Sequence, residues 1–549
     1  MSRFALVCCL IQMTSSLSAT EFQGVIDDAE TGRPLVARVY LIDEMGQELF
    51  VESAGENGSA IVYQEQWVPM PGISEKHTTV SAHPFRADLK PGTYRLIVEK
   101  GKEYFPAEIM LTIEEKPVEQ TIRLKRWINL AERGWYCGET HIHRRFEELP
   151  LLMQAEGLNV GFPVSYWTTS SVEAPSLNPA ILQRGNRSRF GPRQDHGAEP
   201  VWIDRDHVIL PRNTEYEIFN IGEKRHTQGA IFLLNHQSVF TDKAPPIADI
   251  ARQAHEEGAL LDLDKHSWPW SMMLVPVAKI DLFELSNNHV WRTKFGFKSQ
   301  QIMPADWMNV EMESPGQMTE WGWLNYGWEV YYTLLNCGFH IAPTAGTASG
   351  VHPVPLGYSR VYVHTGEQLS VDSFMDGLQQ GRSFVTTGPM LFVTVENTQS
   401  GTVLKSEKQK KQTFEIDVQS LSQRQSVTMQ VIVNGQVVET IDPHPIQTDD
   451  GAWKIDATTT VTLDDSGWIA VRSIGKQPDG RKRFAHTAPW YVEMAGRPVT
   501  PRQEQIEWLI ELMEEQIERN RDVLSPEALA EFEQALKAYQ KIQERVVGK

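Results

Sequence analysis

Cysteine is scarce, with four in 549 residues, and two of these, Cys8 and Cys9, fall in an apolar stretch at the N-terminus. If that stretch is removed, only Cys137 and Cys337 remain, which excludes a disulfide framework. One bridge between them stays open, and two separate buried thiols are the simpler expectation. Also missing is any run approaching about twenty uncharged apolar residues, which excludes a membrane-spanning helix. Basic charge is short as well: 52 Lys and Arg against 71 Asp and Glu leave a formal charge of −19. Neutralising a phosphate backbone needs a basic face that this composition does not supply, so nucleic acid is not an expected partner.

What is present begins with an export leader. Arg3 gives a short positive region, Phe4 to Met13 an apolar run, and Ser15 to Ala19 a small-residue segment suited to cleavage near Ala19. Residues 1–20 are therefore expected to be a signal peptide, and the protein to be exported to the periplasm or beyond. The remainder is long enough for about three domains with cores of their own.

Residues 21–126 read as β. Val36 to Ile42, Tyr94 to Val98 and Ala107 to Ile113 are short β-prone runs, and Pro91-Gly92 marks a turn. A small β-sandwich is expected, and the segments Asp28 to Leu35 and Leu89 to Tyr94 resemble the carboxypeptidase-regulatory-like sandwiches appended to secreted enzymes. Across 127–389 strands alternate with helices. Helices are expected over Phe146 to Gly157, Pro246 to Gly258 and Trp328 to Gly338. Strands are expected over Leu158 to Tyr166, His207 to Ile218, Ala230 to Asn235, Ala259 to Asp264, Ile280 to Leu285 and Ile341 to Ala345. That alternation predicts a parallel barrel or a doubly wound sheet with its site at the C-terminal strand ends. A second β-sandwich is expected over 390–497, with Asn434-Gly435 as a hairpin turn. Residues 498–549 predict two amphipathic helices, the second capped by Ser525, that pack on a neighbouring domain or form a homo-oligomer.

The most informative stretch is Gly134 to Arg144, G-W-Y-C-G-E-T-H-I-H-R. His141 and His143 stand two apart at a strand end, so their imidazoles lie on one side and can converge on a metal ion. Polar residues recur at later strand ends: Glu215 and Glu217, His226, His236, then Asp262, Asp264, Lys265 and His266, then Glu284, Asn287, Asn288 and His289. Recurrence at successive strand ends argues for a shared site over scattered surface groups. Of sixteen tryptophans, eleven lie between Trp127 and Trp328. They could line a cleft for a sugar ring or simply fill the core.

The first motif, followed by a helix ending Ala155 to Leu158, resembles the polymerase-and-histidinol-phosphatase (PHP) superfamily in its secreted CehA/McbA-like metallohydrolase branch. Tyr331 to Gly338, Pro343 to Gly350, Gly357 to His364 and Phe384 to Pro389 extend the likeness. The resemblance implies a distorted (β/α)7 barrel flanked by N- and C-terminal β-sandwiches and a C-terminal helical hairpin. It also implies metal ions that activate water against phosphoesters or other esters. Carried over, His141 and His143 are the paired metal ligands and Glu215 the bridging carboxylate. His226 or His236 is the later histidine, with His226 preferred, and Lys265 or His266 takes a further histidine's place. Two family motifs are replaced, one by Ser165-Tyr166-Trp167 and one by Gly346 to Gly350 without an aspartate or histidine. A full trinuclear cluster is therefore not expected. One or two divalent ions (Zn, Mn or Fe) would be held by His141, His143, Glu215 and a later histidine among His226, His236 and His266. Glu215 or Glu284 would orient the water, and Arg144, Arg145, Lys265 or Arg360 would take developing negative charge. The function expected is an exported metal-dependent hydrolase of a phosphoester, ester or glycan-derived small molecule. The alternative is an inactive PHP-like protein whose Trp-rich cleft binds carbohydrate.

Overall fold

A computed structural model describes residues 19–66, 73–177, 193–298, 300–366, 368–407, 411–425, 427–441 and 444–547. The expected leader lies almost wholly outside them. The chain divides into two compact units, one of Met1–Val62, Lys76–Glu99 and Pro106–Leu124, the other of Tyr63–Glu75, Lys100–Phe105 and Lys125–Lys549. Among the described residues no helix is long and apolar enough to cross a membrane.

The smaller unit is β throughout. Thr20–Asp28 pairs with Val118–Leu124 in parallel and with Phe85–Leu89 antiparallel. In a second sheet Ala37–Ile42 lies between Glu75–Val80 and Gly92–Glu99. Phe85–Leu89 buries every second residue (Phe85, Ala87, Leu89), the period of a half-covered strand.

In the larger unit Trp135–Ile142 is buried at every position. It pairs in parallel with Val160–Pro163 and antiparallel with Arg360–His364. From Arg360–His364 the ladder continues through Ser383–Thr386 to Lys482–Thr487, Gly467–Lys476 and Val427–Val433. One sheet therefore runs across the boundary expected at Pro389, carrying the α/β part directly into the C-terminal β part. A second sheet has the order Tyr166–Ser170, Asn213–Ile221, Ala230–Leu234, Leu260–Leu263, Leu282–Ser286, Ala342–Ala345.

These are two open ladders among the described residues, and the strands are not all parallel. Asn213–Ile221 and Ala230–Leu234 are antiparallel, as are Ala230–Leu234 and Leu260–Leu263. The cause of the first reversal is local: a short hairpin around Gly222 joins the two strands, whereas a parallel partner needs a crossover of about a dozen residues or more. The single strand expected over His207 to Ile218 is in fact two, His207–Ile209 and Asn213–Ile221, in different sheets, with Pro211 between them.

The terminal helices, Gln503–Asn520 and Pro526–Val547, bury Leu509, Met513, Phe532 and Tyr539 in the core of the larger unit. The packing within the chain expected as one alternative for these helices is thus present. Tyr539 donates to the Met272 carbonyl at 2.6 Å, and Glu531 accepts from the Ile247 and Ala248 amides, both at 2.7 Å. Glu531 thereby satisfies two amides at the start of the Ala248–Glu256 helix, where no local side chain caps. Glu531→Ala is expected to lower unfolding stability by about 2 kcal/mol in urea titrations, with Glu531→Gln losing less.

Candidate metal centre

Four strands deliver the central groups. Pairing sets Trp167, Glu215, Phe232 and Asp262 side by side in one row across the second sheet, and residues paired directly share a face. His141 and His143 come to this row from the other sheet. The His141 ring lies 4.4 Å from that of Phe232, and the His143 ring 4.7 Å from that of Trp167. The turn at 348–349 clamps the pair, with Ala348 N–H donating to the His141 carbonyl at 2.8 Å and His143 N–H to the Ser349 carbonyl at 2.9 Å.

The two Nε2 atoms stand 3.1 Å apart, and His143 Nε2 is 3.4 Å from Glu215 Oε2. On its other side, His141 Nδ1 is 3.2 Å from Glu284 Oε1 and 3.7 Å from Asp264 Oδ1. Two buried ligand sets result, His141 with His143 and Glu215, and His141 with Asp264 and Glu284. The Lys265 ammonium touches the Asp264 carboxylate. Burial, reinforced by Lys265, holds the His141 imidazole well below its ordinary range, and burial with the neighbouring His141 does the same to His143. Both rings are therefore neutral, as a ligand nitrogen must be. Burial raises Glu215, reinforced by Glu217, and pushes Glu284 up to about 8 against the pull of Lys265.

The residues fit a divalent cation. Glu215 Oε2 and Glu284 Oε1 are buried without a hydrogen bond among the described residues, whereas Asp264 already meets the Lys265 ammonium. Buried carboxylate oxygens of that kind call for a cation. The 3.1 and 3.4 Å separations in the first set match the roughly 3.3 Å ligand–ligand edge of a tetrahedral site with bonds near 2.0–2.1 Å.

Other expected residues go elsewhere. His226 bonds Asn520 Oδ1 at 2.8 Å through Nε2 and stays outside the cluster. His236 is buried but fully used, its Nε2 2.8 Å from Thr214 Oγ1 and its Nδ1 2.7 Å from the Ser238 carbonyl. It lies four residues past Phe232 on a strand running away from Glu215, roughly 13 Å along the chain. His266 is sandwiched by aromatic rings, 4.6 Å from Trp323, and joins neither ligand set. Arg144 has its charge met by Glu65 at 2.9 Å and lies over the Tyr63 ring at 3.7 Å, so it is not a spare cation. Lys265 is at the cluster.

Several participants were not singled out by sequence reasoning. Arg193 donates to the His143 carbonyl at 3.1 Å and is drawn electrostatically to Glu215. Glu139 accepts from the amides of Thr347 at 2.9 Å and Gly357 at 2.5 Å, tying down the 346–350 loop. The period-two pattern that singles out His141 also passes through Glu139, which was the available signal. Seven of the eleven tryptophans from Trp127 to Trp328 are buried, among them Trp270, Trp291 and Trp328 at no more than 1% exposed.

No protein-family model matches the chain, and no curated protein sequence does. Among solved structures it is similar to a two-domain protein from Bacteroides vulgatus described as containing a predicted PHP-like metal-dependent phosphoesterase. That match has 10% identity and a TM-score of 0.29 over 65% of this chain and 94% of the other. A CARDB domain from Pyrococcus furiosus is similar at 14% identity and a TM-score of 0.13 over 20% of this chain and 98% of the other. Neither TM-score is high enough to carry a fold or a function across.

Two measurements test this geometry. A Cβ at Gly346 would run into Glu284 and the His141 side chain, so Gly346→Ala is expected to weaken metal retention at least tenfold in competition with a chelator. His236 is held down to about 4, mainly by burial. Between pH 6.5 and about 4 the unfolded chain binds a proton there that the folded chain refuses, removing roughly 3 kcal/mol of stability as pH falls. Urea titrations of His236→Gln should show a flatter fall across that window.

Proposed function

We propose that this chain is an exported metal-dependent hydrolase of the PHP type with a reduced metal site. The observation that supports it most is the convergence of His141 Nε2, His143 Nε2 and Glu215 in a buried site whose carboxylate oxygens lack hydrogen bonds. A divalent ion there would supply a Lewis acid and an acidified water. His141 and His143 present neutral nitrogens. Glu284 accepts from His141 Nδ1, its Oε2 at 3.4 Å, which fixes the tautomer and turns Nε2 toward His143. Arg193 holds the His143 backbone in place, and Lys265 stands ready to meet negative charge developing on a substrate. Phosphoesters, carboxylic esters and glycan-derived esters all fit this chemistry. The support for export is the leader-like composition of Arg3 to Ala19.

One observation favours the second reading, a catalytically inactive PHP-like protein. Trp167 stands where the family resemblance places a ligating histidine, and its ring packs on His143. That replaces a ligand with an apolar wall.

Elemental analysis separates the outcomes. About one equivalent of Zn, Mn or Fe per chain is expected, lost in the His141→Ala, His143→Ala double variant. Hydrolysis of p-nitrophenyl phosphate, bis-p-nitrophenyl phosphate or p-nitrophenyl acetate should fall by 100-fold or more in Glu215→Gln. A chain that stays metal-free after reconstitution contradicts the hydrolase reading. Bound metal without turnover of any ester supports the second.

A further inference from the structure

A cavity of about 670 Å³ opens within the larger unit, at the other end of the strand that carries the histidine pair. Tyr136 lines it near the start of Trp135–Ile142, five residues and roughly 16 Å from His141 along the strand. The cavity is therefore separate from the candidate metal centre. Its volume falls in the range of sites that enclose a small organic molecule.

The floor is built from three charged side chains. Lys100 donates to the Gln154 carbonyl at 2.7 Å. Arg360, 1% exposed, donates from Nε to the Gly357 carbonyl at 2.7 Å and from Nη1 to the Glu156 carbonyl at 2.9 Å. Its Nη2 meets no acceptor in hydrogen-bond geometry, the Glu156 carboxylate standing 3.9 Å away. These bonds cap the C-terminal end of the Leu149–Glu156 helix, which accounts for a cation at this place but not for two cations against one carboxylate. Higher up, Arg126 is matched by Glu103 at 2.6 Å and Arg205 by Asp206 at 3.0 Å. Lys102 and Glu132 line the cavity as well, so its walls carry five cations against four carboxylates in a chain whose formal charge is −19. Lys100 as a whole is only half-buried, yet burial of its ammonium holds it down to about 8, with Glu156 opposing and Arg126 assisting. An added anion would relieve that desolvated charge.

We propose that this cavity binds a small organic anion, a carboxylate or phosphate monoester, with its oxyanion on Lys100 and Arg360. The size of the cavity leaves room for a polar body beyond the anionic group, and Asn129, Tyr104 and Gln368 on its walls offer hydrogen bonds to such a body.

Calorimetric titration of the purified chain with glucose 6-phosphate, glucuronate and glucose tests this, because the three share a pyranose ring and differ in the charge carried at C6. At least one of the two anions should bind, and glucose at least tenfold more weakly. Which anion binds decides between phosphate and carboxylate. Lys100→Gln should weaken binding by about 10- to 100-fold, the loss expected for a hydrogen bond to a charged group, and Lys100→Arg should retain most of it. The His141→Ala, His143→Ala variant should bind as the native chain does, which separates this cavity from the metal centre. Binding of neither anion, equal binding of glucose, or binding lost with the histidine pair and not with Lys100 would each overturn the assignment.

Discussion

The larger unit is arranged around a problem of buried charge. Glu215, Asp264 and Glu284 lie within reach of two histidines, each of the five at most 2% exposed. Carboxylates at that depth are stable only if neutralised, protonated or paired with a cation. Lys265 is the one ammonium brought to the cluster among the described residues, and it lies against Asp264. The remaining acceptors, Glu215 Oε2 and Glu284 Oε1, face the two imidazoles without hydrogen bonds. Neutral imidazoles cannot settle carboxylates, and the burial that keeps the imidazoles neutral also sharpens the demand for a cation. This is why the cluster reads as a metal centre and not as a satisfied polar core.

The surroundings serve to hold that arrangement. Phe232 and Trp167 wall the two imidazoles, and the register that places them also places Glu215 between them. Glu139 fixes the loop that clamps the histidine backbone, and Gly346 leaves the clearance that lets the loop approach Glu284. Farther out, the terminal helices bond to the start of the Ala248–Glu256 helix, which precedes the strand bearing Asp262. Their contribution is to the rigidity of the second sheet.

Much of this was legible in the sequence because it depends on local periodicity. Side-chain alternation picks out His141 and His143, and the same alternation should have warned against Arg144, one residue on, which turns to Glu65. Glu284 and the Asp264-Lys265 pair follow from their place at strand ends. His226 and His236 fall on opposite sides of Glu215: the first lies at the hairpin after Ile221, and the second lies past the end of the strand that returns from it. Periodicity cannot signal a reversal of direction. The Glu320–Asn336 helix begins eight residues before the expected Trp328, because Gly322 and Gly327 mask a start that Thr319 caps through the Gly322 amide. Arg193 reaches His143 from fifty residues away, and no local pattern marks such a contact.

The two ligand sets share His141 but do not make equal demands on it. Its Nε2 faces His143 and its Nδ1 faces Glu284 and Asp264. A neutral imidazole has one lone pair and one N–H, so it serves one set as ligand and the other as donor. The first set has two nitrogens and one carboxylate, with the Arg193 guanidinium drawn to Glu215. The second has two carboxylates and already holds Lys265. A cation in the second set would sit against that ammonium, whereas the cation nearest the first set, Arg193, is bonded to the His143 carbonyl. The charge balance therefore favours His141, His143 and Glu215 as ligands, with Asp264, Glu284 and Lys265 as the shell that orients them. On this arrangement Lys265 meets the Asp264 charge that a second cation would otherwise meet.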